Sequence, residues 1–147
     1  MSNSKSKYPV FFHYCSDPFS FKQRTKCKES IAGLFKRENI KLEEIHYIFC
    51  SDSYLLEINK KFLNHNYYTD IITFGLSDRG APVSAEIYIS IDRVKENAAS
   101  FKVSFSNELL RVIFHGALHL CGYKDKTKNE KYIMRSKEEK YLTLFFR

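Results

Sequence analysis

Two histidines and one aspartate in the C-terminal third of the chain have the types and spacing of a metal site. His115 and His119 lie four residues apart, so on a helix their rings share one face, about 5–6 Å apart at Cβ. Two imidazoles at that separation can reach one ion at about 2.0–2.1 Å. Gly122 stands where the helix would end, since glycine accepts the left-handed conformation that closes a helix. A chain reversal there would bring Asp125 back towards the rings as a third ligand.

Three protein ligands leave one position of a zinc ion open for water, which is typical of a catalytic rather than a structural site. The spacing leaves a second interpretation open, an ordinary helical pair with one ring partly buried and the other hydrogen-bonded. The apolar flanks favour the metal, because they predict a largely buried helix on which imidazoles need partners. Glu108 and Arg111 are the other polar residues on that stripe. We therefore predict a Zn²⁺ site.

The composition is that of one folded, basic domain. The 147 residues suffice for a single domain, residues 1–147, and are too few for two of usual size. Hydrophobic residues make up 44% of the chain, which excludes a disordered protein. The formal net charge of +7 favours a polyanionic partner, with RNA or DNA first, over simple solubility.

The chain has the features expected of a cytoplasmic protein without membrane contact. No apolar run approaches the length that spans a bilayer, and residues 1–7 lack the apolar core of a secretory signal. Disulfides are rare in the cytoplasm, and the chain has no Cys-x-x-Cys pair. Its four cysteines are therefore expected to be reduced core residues: Cys15, Cys27, Cys50 and Cys121.

Hydrophobic periodicity predicts four strands interleaved with five helices. Strands are expected near residues 9–14, 42–50, 70–74 and 86–91, with a break at residues 16–18. The third strand is expected to be buried on both faces, because it is β-branched and nearly continuous. Helices are expected from 19 or 20 to 37, at 54–62 and 92–101, over the histidine segment, and at 127–145. This pattern predicts an α+β or α/β fold around a single sheet. We favour the α+β class, with a single mixed four-stranded sheet, about five helices and the metal site on a central buried helix.

Polar side chains mark where the helices begin. We expect Asp92 to cap the third helix, Ser104 or Ser106 to cap the histidine helix, and Thr127 with Glu130 to form a capping box. Two further histidines lie in predicted strands and are expected to be hydrogen-bonded structural groups: His13 and His46.

The histidine segment resembles the H-G-x-L-H-L-x-G-Y segment of the YbeY family over His115–Tyr123. Thr69–Phe74 is similar to that family's T-D-V-L-S-F strand, Ser84–Ile87 to its G-[DE]-I strand start, and Asn59–Leu63 to the end of its short helix. The blocks agree in order and spacing from about residue 40 to 145. These proteins are metal-dependent, single-strand-specific endoribonucleases linked to ribosomal RNA maturation and ribosome quality control. The resemblance implies that activity here, with ribosomal RNA and the small ribosomal subunit as partners.

The chain departs from the family pattern at three positions. The family's third ligand is usually a histidine, and Asp125 stands near that position; we favour direct ligation by Asp125 over contact through a water. Leu63 stands where the family has an Arg thought to meet substrate phosphate, and Ala85 replaces a Gly before Glu86. Four basic residues are candidates to contact RNA instead of the missing Arg: Lys60, Lys61, His65 and Arg79.

Two other functions are compatible with the residues. The first is a non-catalytic, ribosome- or RNA-binding assembly factor whose metal only braces the helix. The second, less favoured, is a zinc peptidase, in which a Glu follows the first His as in H-E-x-x-H; Gly116 occupies that position, and Glu108 or Asp70 would have to substitute. Three aromatic residues near the turn before the third strand could stack on unpaired bases, although core packing is the interpretation we favour: Tyr67, Tyr68 and Phe74.

Overall fold

The computed structural model of the protein describes residues 7–15, 19 and 21–147. Its strands are β1 (Val10–Tyr14), β2 (Leu42–Cys50), β3 (Ile71–Gly75) and β4 (Val83–Ser90). Its helices are α1 (Arg24–Arg37), α2 (Asp52–Leu63), α3 (Ile91–Phe101), α4 (Phe105–Leu120) and α5 (Lys128–Phe146). The predicted α+β fold with one mixed four-stranded sheet and five helices is confirmed. The break predicted at residues 16–18 and the predicted helix start at residue 20 lie outside the described residues.

The sheet has the strand order β1-β2-β4-β3. β1, β2 and β4 are parallel, and β3 runs antiparallel to β4. Alternate residues of β2 form the inner face, where Ile45, Tyr47 and Phe49 are fully buried. α4 packs on this face, and the Tyr47 hydroxyl donates a hydrogen bond of 3.0 Å to the carbonyl oxygen of Ile113. The histidine helix is therefore held directly on the centre of the sheet.

The expectation that β3 is buried on both faces is wrong. β3 is an edge strand, and Ile72 is its one fully buried residue, packed with α2 residues on the outer face of the sheet. Ile71 and Thr73 alternate with it and line an open cavity beside α4. The β-branched run reflects the preference of such residues for strands rather than two-sided burial.

The beginnings of several elements differ from their predicted positions, and α2 begins at Asp52 rather than at residue 54. β4 begins at Val83, and the chain enters α3 at Ile91, so Ser90 is the cap and accepts a bond from the backbone N–H of Arg93. Asp92 instead accepts a bond of 2.9 Å from the backbone N–H of Asp52, at the start of α2. α1 begins only at Arg24, because Phe21 stacks on the ring of Phe12 rather than continuing the helix.

The other predicted caps are confirmed. Ser104 accepts a bond of 3.0 Å from the backbone N–H of Asn107 at the start of α4. Thr127 and Glu130 form the expected capping box of α5. His13 and His46 are joined by a hydrogen bond of 2.7 Å across β1 and β2. All four cysteines are free, but Cys15 is exposed because it follows the last residue of an edge strand.

Within the part of the chain that the structure describes, no helix has both the length and the apolar character needed to cross a bilayer.

Gly116 sets how closely α4 approaches the sheet. A Cβ at this position would lie 2.9 Å from Cδ1 of Ile71 and 2.9 Å from Cδ1 of Ile87. Neither contact is possible without movement of the helix or the isoleucines. Glycine at position 116, between His115 and His119, therefore lets α4 pack directly against β3 and β4, the strands that carry these two isoleucines.

Gly116→Ala is expected to destabilise the protein, because overpacking costs about 1–3 kcal/mol while the gain in helix propensity returns only about 1 kcal/mol. Gly33→Ala is the matched control, since a Cβ at Gly33 in α1 meets nothing within 4 Å. That variant should gain up to about 1 kcal/mol. Urea unfolding of both variants measures the difference, and equal stabilities would contradict the close approach.

Candidate metal centre

The end of α4 positions the three predicted ligands. His115 and His119 lie one turn apart on the helix, beyond which Gly122 has a φ of +104°. The backbone N–H of Tyr123 donates to the carbonyl oxygen of Leu118 at 3.1 Å, which closes the helix and reverses the chain. The reversal brings Asp125 against both rings, as the position of the glycine predicts.

The three side chains converge through one atom each. Nε2 of His115 lies 3.0 Å from Nε2 of His119. Oδ2 of Asp125 lies 3.1 Å from the first of these nitrogens and 3.2 Å from the second. A tetrahedral zinc site with ligands at about 2.0–2.1 Å has neighbouring ligand atoms about 3.3 Å apart. The observed triangle is close to one face of such a site.

The second nitrogen of each ring fixes its tautomer. Nδ1 of His115 lies 2.6 Å from Oε2 of Glu138, and Nδ1 of His119 lies 2.9 Å from the carbonyl oxygen of Tyr123. Both partners accept hydrogen bonds, so each Nδ1 carries the proton and each Nε2 presents a lone pair. Two lone pairs and a carboxylate oxygen then meet at about 3 Å, and these three atoms repel one another unless a metal ion or a proton lies among them. These residues therefore fit a divalent metal ion.

Glu138, on α5, contacts the His115 ring but is not among the residues predicted from the sequence. It is 3% exposed and also accepts a bond of 3.3 Å from Nη1 of Arg111, whose other nitrogens bind both oxygens of Glu108. Burial raises the pKa of Glu138, but its bonds with His115 and Arg111 outweigh burial and hold that pKa below its usual value. Glu138 is therefore a carboxylate held in place to orient the His115 ring.

Glu38 holds the segment between α4 and Asp125 in place through Tyr123. Its carboxylate accepts a bond of 2.6 Å from the Tyr123 hydroxyl, a short bond from Tyr141 and a bond of 3.2 Å from Lys137. Burial raises the pKa of Glu38, yet these three donors outweigh it and hold that pKa below its usual value. Glu38 thereby fixes Tyr123, the residue whose carbonyl oxygen holds His119.

A cavity of about 590 Å³ opens beside the three ligands. His115, His119 and Asp125 line it together with residues of α2, β3 and the turn between them. Asp70 contributes a second carboxylate to its wall, and burial raises the pKa of Asp70 against the opposing effect of Arg111. Glu108, in contrast, is 1% exposed, and both of its carboxylate oxygens accept hydrogen bonds from Arg111. It is therefore not available as a base.

Of the four candidate RNA contacts, one lines this cavity. His65 lines the cavity, and so does Leu63, which occupies the position of the missing Arg. Lys60 and Lys61 lie in the last turn of α2, with Lys60 3.9 Å from Glu57. Arg79 is exposed in the loop between β3 and β4.

The expectation of core packing for the three aromatic residues is wrong for two of them. Tyr67 and Tyr68 are 56% and 54% exposed, and Tyr67 lines the cavity. Phe74 packs against Phe62 and Tyr88 on the outer face of the sheet. The two tyrosines stay exposed because they lie in the turn between α2 and β3 rather than in an element that the core covers.

The helix α4 and the segment that follows it thus carry three convergent ligand atoms beside an open cavity, an arrangement that could hold a metal ion in contact with a substrate. The family model described as "Endoribonuclease YbeY" matches residues 16–145. The chain is 48% identical over 136 residues to "Endoribonuclease YbeY" of Flavobacterium psychrophilum, covering 92% of this chain and 96% of that protein. It is 46% identical to the protein of that name from Cytophaga hutchinsonii, covering 92% and 94%.

A solved structure agrees with this assignment. The solution structure of TM1509 from Thermotoga maritima superposes with a TM-score of 0.66 at 29% identity, covering 92% of this chain and 89% of that one. The chain belongs to the YbeY family of endoribonucleases.

Glu138→Gln is expected to lower the affinity for a divalent ion about 10–100-fold, because the neutral amide no longer stabilises the protonated Nδ1 of His115. Titration of the metal-free protein with Zn²⁺ in a competing chelator measures this loss. Glu139→Gln, an exposed neighbour on the same helix, is the control and should bind as the wild type does. Equal affinity in both variants, with both folded, would contradict the role of Glu138.

Glu38→Gln is expected to cost stability at neutral pH and progressively less in acid. The folded pKa of Glu38 lies below the unfolded value of 4.5, so its charge stabilises the fold above pH 4.5 and ceases to do so as the pH falls through the folded pKa. Urea unfolding at pH 7 and pH 3 should show the difference from wild type shrink. Exposed Glu43→Gln is the control, and a Glu38→Gln difference independent of pH would contradict the assignment.

Proposed function

We propose that the protein is a metal-dependent endoribonuclease that cuts single-stranded RNA in ribosomal RNA maturation and ribosome quality control. The observation that carries this proposal is the meeting of three lone-pair atoms in the wall of an open cavity. The family assignment supports the reaction, because the curated relatives are named endoribonucleases. Residues 1–147 act as one unit in this proposal, in the cytoplasm and with the small ribosomal subunit as partner.

His115, His119 and Asp125 are the proposed ligands of the ion. An imidazole pair with one carboxylate suits Zn²⁺, which we propose as the native metal. When bound, the ion supplies Lewis acidity to the phosphoryl group under attack. Glu138 and the carbonyl oxygen of Tyr123 accept from each Nδ1, so both Nε2 atoms would face the ion as its ligands.

Basic side chains would hold the RNA strand through its phosphates. Each lysine or arginine that neutralises a phosphate releases counterions, so binding should weaken as salt rises. The net charge of +7 supports this mode of binding, and the proposed contacts are Lys60, Lys61, His65 and Arg79. His65 is the one of these four that lines the cavity.

The two other functions fit the geometry less well. For a peptidase, Gly116 stands where the base would follow the first histidine. Both oxygens of Glu108 accept from Arg111, so Asp70 in the cavity wall is the remaining candidate base. The relatives, in contrast, are named endoribonucleases. A purely structural zinc ion is normally closed by four protein ligands, whereas the trio found among the described residues has three. Its position beside a cavity of about 590 Å³ leaves room for a substrate.

His119→Ala is expected to abolish both metal binding and RNA cleavage, since it removes one of three ligands. The loss should exceed the 10–100-fold typical of residues outside the coordination sphere. Metal analysis of the purified protein and cleavage of a 5′-labelled single strand, with and without chelator, measure the two effects. His13→Ala is the control, because His13 pairs with His46 on the sheet and does not line the cavity.

Three results would contradict the proposal. Wild-type cleavage that survives removal of all metal would exclude the metal-dependent mechanism. A zinc-loaded wild type that binds RNA without cutting it would favour the assembly factor. Chelator-sensitive hydrolysis of unfolded protein would favour the peptidase.

A further inference from the structure

Two stacked rings in the turn between α2 and β3 form one wall of the cavity. The rings of His65 and Tyr67 have centroids 5.1 Å apart and planes inclined by 21°. The Tyr67 hydroxyl and Nδ1 of His65 are 2.9 Å apart, which joins the two side chains by a hydrogen bond. Both residues line the cavity together with the three proposed ligands.

The fold fixes this wall before any ligand arrives. Asn59 is 1% exposed, and its amide nitrogen donates a bond of 2.9 Å to the carbonyl oxygen of Tyr67. The carbonyl oxygen of Asn59 accepts a bond of 3.1 Å from the backbone N–H of His65. Asn64 ends α2 in the left-handed conformation, with φ of 55°. The buried residue Asn59 thus holds the turn in place, while the rings of His65 and Tyr67 stay exposed to solvent.

The chemistry of the wall suits a nucleobase. Flat aromatic faces, the apolar side chains of Leu63 and Ile71 and the polar group of Thr69 line the same space. A heterocyclic base has both an apolar face and a polar edge, and stacking on aromatic rings tolerates any base. The volume of about 590 Å³ lies within the range of about 300–1,000 Å³ that holds one small ligand.

We propose that Tyr67, braced by His65, stacks on the unpaired base next to the phosphate that is cut. The inference rests on the proposed endoribonuclease function and names the subsite that would give it single-strand preference. A paired base is already stacked within its helix and cannot enter the cavity, whereas an unpaired base can turn into it. Base stacking on an aromatic side chain strengthens binding about 5- to 150-fold.

Tyr67→Leu tests the subsite, because leucine keeps an apolar side chain but removes the flat ring. The variant should raise the KM for a short single strand about 5- to 150-fold, with a smaller change in kcat and an unchanged zinc content. Tyr67→Phe keeps the ring and should remain close to wild type. Tyr132→Ala, which removes a 75% exposed tyrosine on α5, is the matched control and should also behave as wild type.

A second readout is independent of cleavage. A single-stranded oligonucleotide carrying 2-aminopurine loses fluorescence when that base stacks on a ring, so titration with wild type and Tyr67→Phe should quench it and titration with Tyr67→Leu should not. Equal quenching and equal KM for wild type and Tyr67→Leu would overturn the subsite, and so would absence of quenching with wild type. A wild type that quenches but cuts no RNA would overturn the nuclease function while leaving base binding supported.

Discussion

The candidate site depends on two hydrogen bonds that hold protons on the far sides of two rings. Glu138 and the carbonyl oxygen of Tyr123 accept from Nδ1 of His115 and His119, and both Nε2 lone pairs consequently meet the Asp125 carboxylate. The orientation of the two rings is thus set by the two acceptors of the Nδ1 protons, which are not ligands themselves. A ring free to choose its tautomer could donate a hydrogen bond to Asp125, and the triangle would then be satisfied without an ion.

The rest of the fold supplies rigid positions for those groups. α4 lies on the centre of the sheet through Gly116 and the bond from Tyr47 to Ile113. α5 carries Glu138 into the core, where Arg111 offsets the cost of burying the carboxylate. The site therefore combines one local segment with supports from elements distant in the sequence.

The locally encoded features could be predicted from the sequence. The histidine pair, the glycine that ends α4 and the return of Asp125 depend on residues within one short segment, where helix geometry alone sets distances. Glu138 could not be found this way, because α5 is dense in charged residues and only the packing of α5 on α4 singles this one out. The two-sided burial expected of β3 was wrong for a related reason, since edge position depends on strand order. The turn that exposes Tyr67 is likewise held by the hydrogen bond from Asn59 to Tyr67, which hydrophobic periodicity does not reveal.

The loop that carries Asp125 is tethered at a second point that involves no ligand atom. Tyr123 is bound to Glu38, and through it to Lys137 and Tyr141 of α5, by bonds that use none of the three proposed ligand atoms. Zinc fingers unfold on losing their metal because nothing else holds their ligands together. In this chain the bonds of Glu38 give the loop an anchor outside the proposed coordination shell, so loss of an ion would leave one of the loop's two attachments in place.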